Sequence, residues 1–146
     1  MYDTILIPVD GSDESKKAVD HGIELAKAFD STIHALYVIN VPGTPRTPYI
    51  RDDEEEIRKA GRDFGEQVTG EVVRLAGEAG VDAVSAIRTG TVHEDIVEYA
   101  DEEGMDTIVM GTGYRGKMGA LLGSITEKVV RTAEVPVTTI RMGIDD

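Results

Sequence analysis

Thr107 to Thr132 reads TIVMGTGYRGKMGALLGSITEKVVRT. Three structural signals follow one another in it. TIVM is a short apolar run with no polar alternation after its first residue, which marks a strand buried on both faces. Five glycines come next, at 111, 113, 116, 119 and 123. Then Ser124-Ile125-Thr126-Glu127, the S-x-x-E form of a capping box, opens a helix that runs to Thr132. Buried strand, glycine-rich turn and helix, in that order, are half of a strand–helix–strand crossover and predict a parallel sheet.

The same alternation extends outward in both directions. Toward the N-terminus, Val92, Ile96, Val97 and Ala100 mark a helix stopped at Gly104, preceded by a strand over Val81–Arg88. Before these, Ile57, Phe64, Val68, Val72 and Leu75 share one face of a long helix, which Gly61, Gly65 and Gly70 weaken. Asn40 to Asp52 holds Pro42, Gly43, Pro45 and Pro48 and predicts a loop, of a length typical of lids or disordered segments. Thr32–Ile39 is a strand. Ala18, Val19, Ile23, Ala26 and Phe29 form the apolar face of a first helix, whose opening turn carries Asp13 and Glu14. Thr4–Val9 is a strand that ends in the turn Asp10-Gly11-Ser12. Toward the C-terminus, Pro136–Met142 is a last strand.

The expectation is one α/β domain over residues 1–146, an open parallel sheet of five strands with helices on both faces. Ligands of such sheets sit beyond the carboxyl ends of the strands where strand order reverses. Asp10, Val38 and Gly111 stand at three candidate strand ends. No internal repeat is present.

Bulk properties bound the partners. Twenty-eight acids against fifteen bases give a net charge of −13, a surface that repels nucleic acid and anionic lipid. Acids cluster at Asp52–Glu56 and between Glu94 and Asp106. They read either as an ordinary solvated face or as adaptation to a cytoplasm of high salt. No stretch of eighteen apolar residues is present to span a membrane, and an acid at Asp3 argues against a signal peptide. The chain has no cysteine, which excludes thiol chemistry and fits the expected cytoplasmic location.

The glycine-rich segment carries the chemistry. Without Cβ atoms, successive backbone N–H groups can close on one anion, and a helix N-terminus adds free donors and partial positive charge. From Met110 to Arg131 there are four bases (Arg115, Lys117, Lys128, Arg131) and one acid, Glu127. Two phosphate motifs fit in part. Gly111 to Gly116 matches G-x-G-x-x-G, but no strand-ending acid follows at the distance a dinucleotide fold needs. Gly111 to Lys117 matches G-x-x-x-x-G-K, but Met118 stands where a P-loop has Ser or Thr for Mg²⁺.

A resemblance uses the whole chain. ILIPVDGSDES at the start, ALYVIN in the second strand and the block MGT…LLGSITEKVVRTAEVPVTTI resemble the universal stress protein A family. That resemblance implies strand order 3-2-1-4-5 and, in the branch with the pattern G-x₂-G-x₉-G-[ST], binding of ATP with Mg²⁺ or Mn²⁺ on its phosphates. Here the second glycine expected at 114 is Tyr114, and Gly123-Ser124 comes one residue early; a one-residue deletion with a shifted glycine accounts for both. The resemblance implies that Pro8, Val9 and Asp10 lie against the adenosine, and that Val38 offers backbone groups to the adenine edge. Met110, Gly111, Thr112 and Gly113 would line the ribose and first phosphates. Gly116, Gly123, Ser124, Ile125 and Thr126 would meet the phosphates. Asp10 and Ser124 read equally as helix caps, Val38 as core and Arg115, Lys117 and Tyr114 as loop surface.

No catalytic group or metal ligand set is expected. His21, His34 and His93 fall on separate elements, and no serine sits in a nucleophile motif. The expected function is nucleotide-dependent signalling or partner binding, as a homodimer joined through strand 136–142. The alternatives are a nucleotide-free dimer and a weak ATPase.

Overall fold

The computed structural model describes residues 2–40, 51–112 and 122–141, with the backbone alone for 51–54. The chain alternates strand and helix throughout: β1 (Thr4–Pro8), α1 (Asp13–Phe29), β2 (Thr32–Asn40), α2 (Arg51–Glu78), β3 (Ala83–Gly90), α3 (Val92–Glu102), β4 (Thr107–Gly111), α4 (Ser124–Thr132) and β5 (Val137–Ile140). The sheet order is β3-β2-β1-β4-β5, and every pairing is parallel. Both the α/β class and the strand order agree with expectation.

The period of two along the strands divides the core. Ile5, Ile7, Ile33, Ala35 and Val109 face α1 and α2, where Ala18, Val19, Ile23 and Val72 meet them. Leu6, Leu36, Ile108 and Met110 face α3 and α4, packing on Ile96, Tyr99, Ala100 and Val129. Ile5, Leu6, Ile7 and Ile108 are wholly buried. The unbroken apolar runs of β1 and β4 are thus explained by a sheet covered on both faces.

The starts of β3 and α2 each differ by two residues from the sequence reading. β3 begins two residues late because Val81 ends α2 instead: Gly80 takes φ +77° and the Val81 N–H reaches back to the Ala76 carbonyl at 2.8 Å. This is a left-handed helix stop, with the apolar residue after it tucked into the core. α3 ends the same way, through Gly104 at φ +67° and Met105 N–H to the Ala100 carbonyl at 2.9 Å. α2 already begins at Arg51, so the acidic run Asp52–Glu56 is helical and the expected loop is shorter; its residues 41–50 lie outside the described ones. Gly61 and Gly65 do not interrupt α2. They let it approach the sheet, since a Cβ would stand 2.8 Å from Ile39 at the first and 2.7 Å from Tyr37 at the second.

Strand order reverses between β1 and β4. β1 is followed by a strand on one side and β4 by a strand on the other, so the segments leaving their carboxyl ends diverge and leave a crevice. Among the described residues no helix is long and apolar enough to cross a membrane.

Candidate functional site

A cleft of about 460 Å³ opens at that crevice, a volume within the range of small-molecule sites. β1 brings Pro8, Val9 and Asp10 to it, and β2 brings Val38. β4 contributes Met110 and Gly111, and α4 presents Gly123, Ser124, Ile125 and Thr126. Ten of the sequence-derived candidates therefore share one cavity. Thr112 does not line it. It is 5% exposed, donates its N–H to the Ile140 carbonyl at 3.0 Å and accepts the Gly123 N–H at 2.7 Å. Gly113 and Gly116, with Tyr114, Arg115 and Lys117, lie outside the described residues.

The two stems of segment 113–121 are pinned together. Besides the Gly123–Thr112 bond, the Thr126 hydroxyl donates to the Gly111 carbonyl at 2.9 Å across the start of α4. Thr126 is 2% exposed, so this bond is shielded from water. Neither end of the glycine-rich segment is left to wander.

The start of α4 differs from the capping box expected there. The N-cap is Gly123, in extended conformation and with no side-chain cap; Ser124 is the first helical residue. Glu127 forms an ion pair with Arg131 one turn on. The N–H groups of Ser124, Ile125 and Thr126 fall in the first turn, before any i−4 carbonyl of the helix can reach them. An uncapped first turn thus meets the cleft, with the donor groups and partial positive charge that favour an anion.

The opposite wall is different in character. α1 is capped by Ser12, whose hydroxyl accepts the Ser15 N–H at 3.2 Å, and Asp10 accepts the Ser12 N–H at 2.9 Å. The cap of α1 is thus Ser12, with Asp10 bracing the turn before it. Asp10 is exposed and Glu14 is 4% exposed, so carboxylates stand at this side. Between the walls the surface is apolar, with Val9, Val38 and Met110 each at most 7% exposed. The β1–β2 ladder ends at Pro8–Leu36, and the Val9 N–H still reaches the Leu36 carbonyl at 2.9 Å. Val38, two residues on, turns its peptide groups toward the same edge, now beyond the end of β1.

Sequence reasoning missed much of the lining. Ile57 and Gly61 of α2, Val92 and Ile96 of α3, and Ser15 of α1 all reach the cleft. Helical apolar spacing marked Ile57, Val92 and Ile96 as core, and nothing local shows that a helix end overhangs a strand end. Among the described residues no group of three or more His, Cys, Asp or Glu is placed to hold a metal ion.

The comparisons with known proteins agree with one another. The profile of the universal stress protein family matches residues 1–141. Universal stress protein MJ0531 of Methanocaldococcus jannaschii is 36% identical over 142 residues, covering 97% of this chain and 83% of that one. The universal stress protein UspA structure from Lactobacillus plantarum superposes with a TM-score of 0.86 at 25% identity, covering 96% of this chain and 98% of that one. A universal stress protein solved in complex with cAMP superposes with a TM-score of 0.73 at 28% identity, covering 97% and 99%.

Proposed function

The chain belongs to the universal stress protein family, and on that premise we propose that it is a nucleotide-binding module that acts through its shape or a partner rather than through rapid catalysis. One observation carries the reading: the uncapped first turn of α4 faces an apolar cleft at the point where strand order reverses. An anion belongs at the helix start and a flat, largely apolar group belongs between the strand ends. A nucleotide joins the two, and a structural neighbour was solved with cAMP.

In this reading ATP lies with adenine against Val9 and Val38, whose peptide groups meet the base edge. Asp10 accepts a ribose hydroxyl. Met110, Gly111 and Gly113 flank the ribose and first phosphates, Thr112 braces the strand end behind them, and Gly116 with Gly123–Thr126 takes the rest of the phosphate chain. Mg²⁺ or Mn²⁺ is carried on the phosphates. Val137–Ile140 forms ladder pairs with β4 alone among the described residues, and a homodimer joins through the other edge of this strand.

Equilibrium dialysis with ATP and Mg²⁺ tests the module. Saturable binding below millimolar ATP is expected, and no binding at millimolar ATP leaves the nucleotide-free dimer. Phosphate release no faster than that of a Gly123→Val, Ser124→Ala control is also expected; clear excess over that control would make the protein an ATPase.

A further inference from the structure

A second depression, of about 600 Å³, lies between α3 and the segment from Thr132 to Val135 that joins α4 to β5. Its floor is apolar. Ala100 and Met105 belong to the buried core, and Val97, Ala133 and Val135 pack partly exposed on the same cluster. Its rim is acidic. Glu94, Glu98 and Asp101 follow one another along α3 at intervals of four and three residues, and Glu134 stands across from them. All four are exposed, and no lysine or arginine lines the groove.

Several other acids on the described surface have basic partners. Glu71 and Glu78 pair with Arg74, Glu102 with Arg88, and Glu127 with Arg131. None of the four rim carboxylates forms an ion pair among the described residues. Like charges one turn apart destabilise a helix, so α3 carries a row of repulsions, eased at Glu98 by the charge of Arg88, which itself pairs with Glu102. A cationic partner would relieve them while covering the apolar floor.

We propose that this groove docks a basic, amphipathic helical segment of another protein. Lysines or arginines spaced one turn apart would face Glu94, Glu98 and Asp101, and apolar side chains between them would settle on Val97, Ala133 and Val135. The row on α3 spans about 10 Å, matched by two to three turns of a partner helix. Charge argues against a second copy as occupant. The chain carries −13, and the bases Arg58, Lys59 and Arg62 of α2 lie among Glu55, Glu56, Asp63 and Glu66. The groove shares no lining residue with the nucleotide cleft, so the proposal stands apart from the reading of that site.

The probe is a fluorescent 14-residue peptide of leucine and lysine at helical spacing, followed by polarisation. A scrambled peptide of the same composition and a leucine–glutamate version serve as comparisons. The wild type should bind the first at least tenfold more tightly than either. Glu94→Lys with Glu98→Lys should weaken binding at least tenfold, whereas Asp63→Lys with Glu66→Lys, on exposed α2, should change it less than twofold. Val97→Ser should weaken it severalfold with charge unchanged. In the wild type, amide resonances over 93–105 and 132–135 should move on titration. Equal loss from both charge reversals, equal binding of the scrambled peptide, or shifts centred elsewhere would overturn the proposal. So would a dimer, seen by sedimentation, that the Glu94→Lys, Glu98→Lys variant abolishes, because the occupant would then be a second copy.

Discussion

Gly111 stands at the first position of the phosphate pattern, yet packing alone requires it to be glycine. A Cβ there would lie 2.8 Å from the Glu14 Cβ and 3.0 Å from the Glu14 backbone carbon and oxygen, where α1 crosses the end of β4. Backbone cannot swing aside as a side chain can. Gly111→Ala should therefore cost about 1–3 kcal/mol. Gly70 is also a glycine on a regular element, but a Cβ there meets nothing within 4 Å. It sits inside α2, so Gly70→Ala should stabilise by about 0.5–1 kcal/mol. Urea unfolding of both variants checks the pair, and a shared sign would refute the packing account. The two roles could not be told apart in sequence, because glycine is chosen in one case by a neighbour distant along the chain and in the other by nothing in the fold.

His34 shows a second residue-scale effect. Its Nδ1 lies 2.7 Å from the Tyr99 hydroxyl, beneath an α3 surface where Arg88 stacks on the Tyr99 ring at 5.0 Å and pairs with Glu102 at 2.7 Å. Burial pushes the His34 pKa below its ordinary 6.5, against an opposing pull from Glu103. The unfolded chain then holds more protons than the folded one in the window beneath 6.5. Stability from this residue is complete above that window and is lost as pH falls through it. His34→Gln should flatten the dependence, which urea midpoints at intervals from pH 5 to pH 8 would measure. An unchanged slope in the variant would exclude His34 as the source.

At the scale of the element, α4 separates two readings of Ser124. Sequence places it as the cap of its helix, with Glu127 reaching back. The cap is Gly123, one residue earlier, and Glu127 goes to Arg131. Ser12 shows what a capping serine does here, with its hydroxyl on the Ser15 N–H; Ser124 makes no such bond. Ser124→Ala should accordingly change stability by less than about 0.5 kcal/mol while weakening ATP binding severalfold. Thr126→Val should behave oppositely in stability, costing about 1 kcal/mol, because it removes the hydroxyl that donates to the part-buried Gly111 carbonyl. Thermal unfolding alongside nucleotide titration gives both readouts, and a loss of stability in Ser124→Ala would return that residue to a capping role. The limits of α4 were legible because glycine, serine and the apolar spacing all agree. Those of β3 were not, because Val81 is as good a strand residue as a helix stop, and the choice is made by Gly80 turning left-handed.

At the scale of the whole molecule, order and direction of the elements were open to reading because each strand is apolar and each helix has one apolar face. The sheet order itself needed the family resemblance, since strand alternation says that β1 has neighbours but not which. The cleft was legible only where it is made of strand ends and the glycine-rich segment. The overhanging ends of α2 and α3 depend on how helices lie across the sheet, which local spacing does not record. Net charge acts at this scale too. At −13 the chain repels itself, and KCl shortens the reach of that repulsion from about 30 Å at 0.01 M to about 3 Å at 1 M. The melting temperature should therefore rise with KCl over this range; a flat response would show that the charges lie too far apart to matter.

The arrangement of α3 and α4 links the two concavities. Val92 and Ile96, at the start of α3, line the cleft, and Val97, Ala100 and Asp101 further along line the groove. α4 likewise begins in the cleft at Ser124–Thr126 and ends in the groove at Thr132. Ile96, Ala100 and Val129 join the two helices through the core between them. A ligand that orders the first turn of α4 orders the pair of helices that forms both walls of the groove, so a second ligand meets less conformational entropy to lose. Saturating ATP with Mg²⁺ should tighten binding of the leucine–lysine peptide by about fivefold, and the peptide should tighten ATP by the same factor, as linkage demands. Hydrogen exchange at Val129 and Val130 should slow with nucleotide alone. If both ligands bind, yet neither changes the affinity of the other nor the exchange at these amides, the two sites are independent and α4 transmits nothing between them.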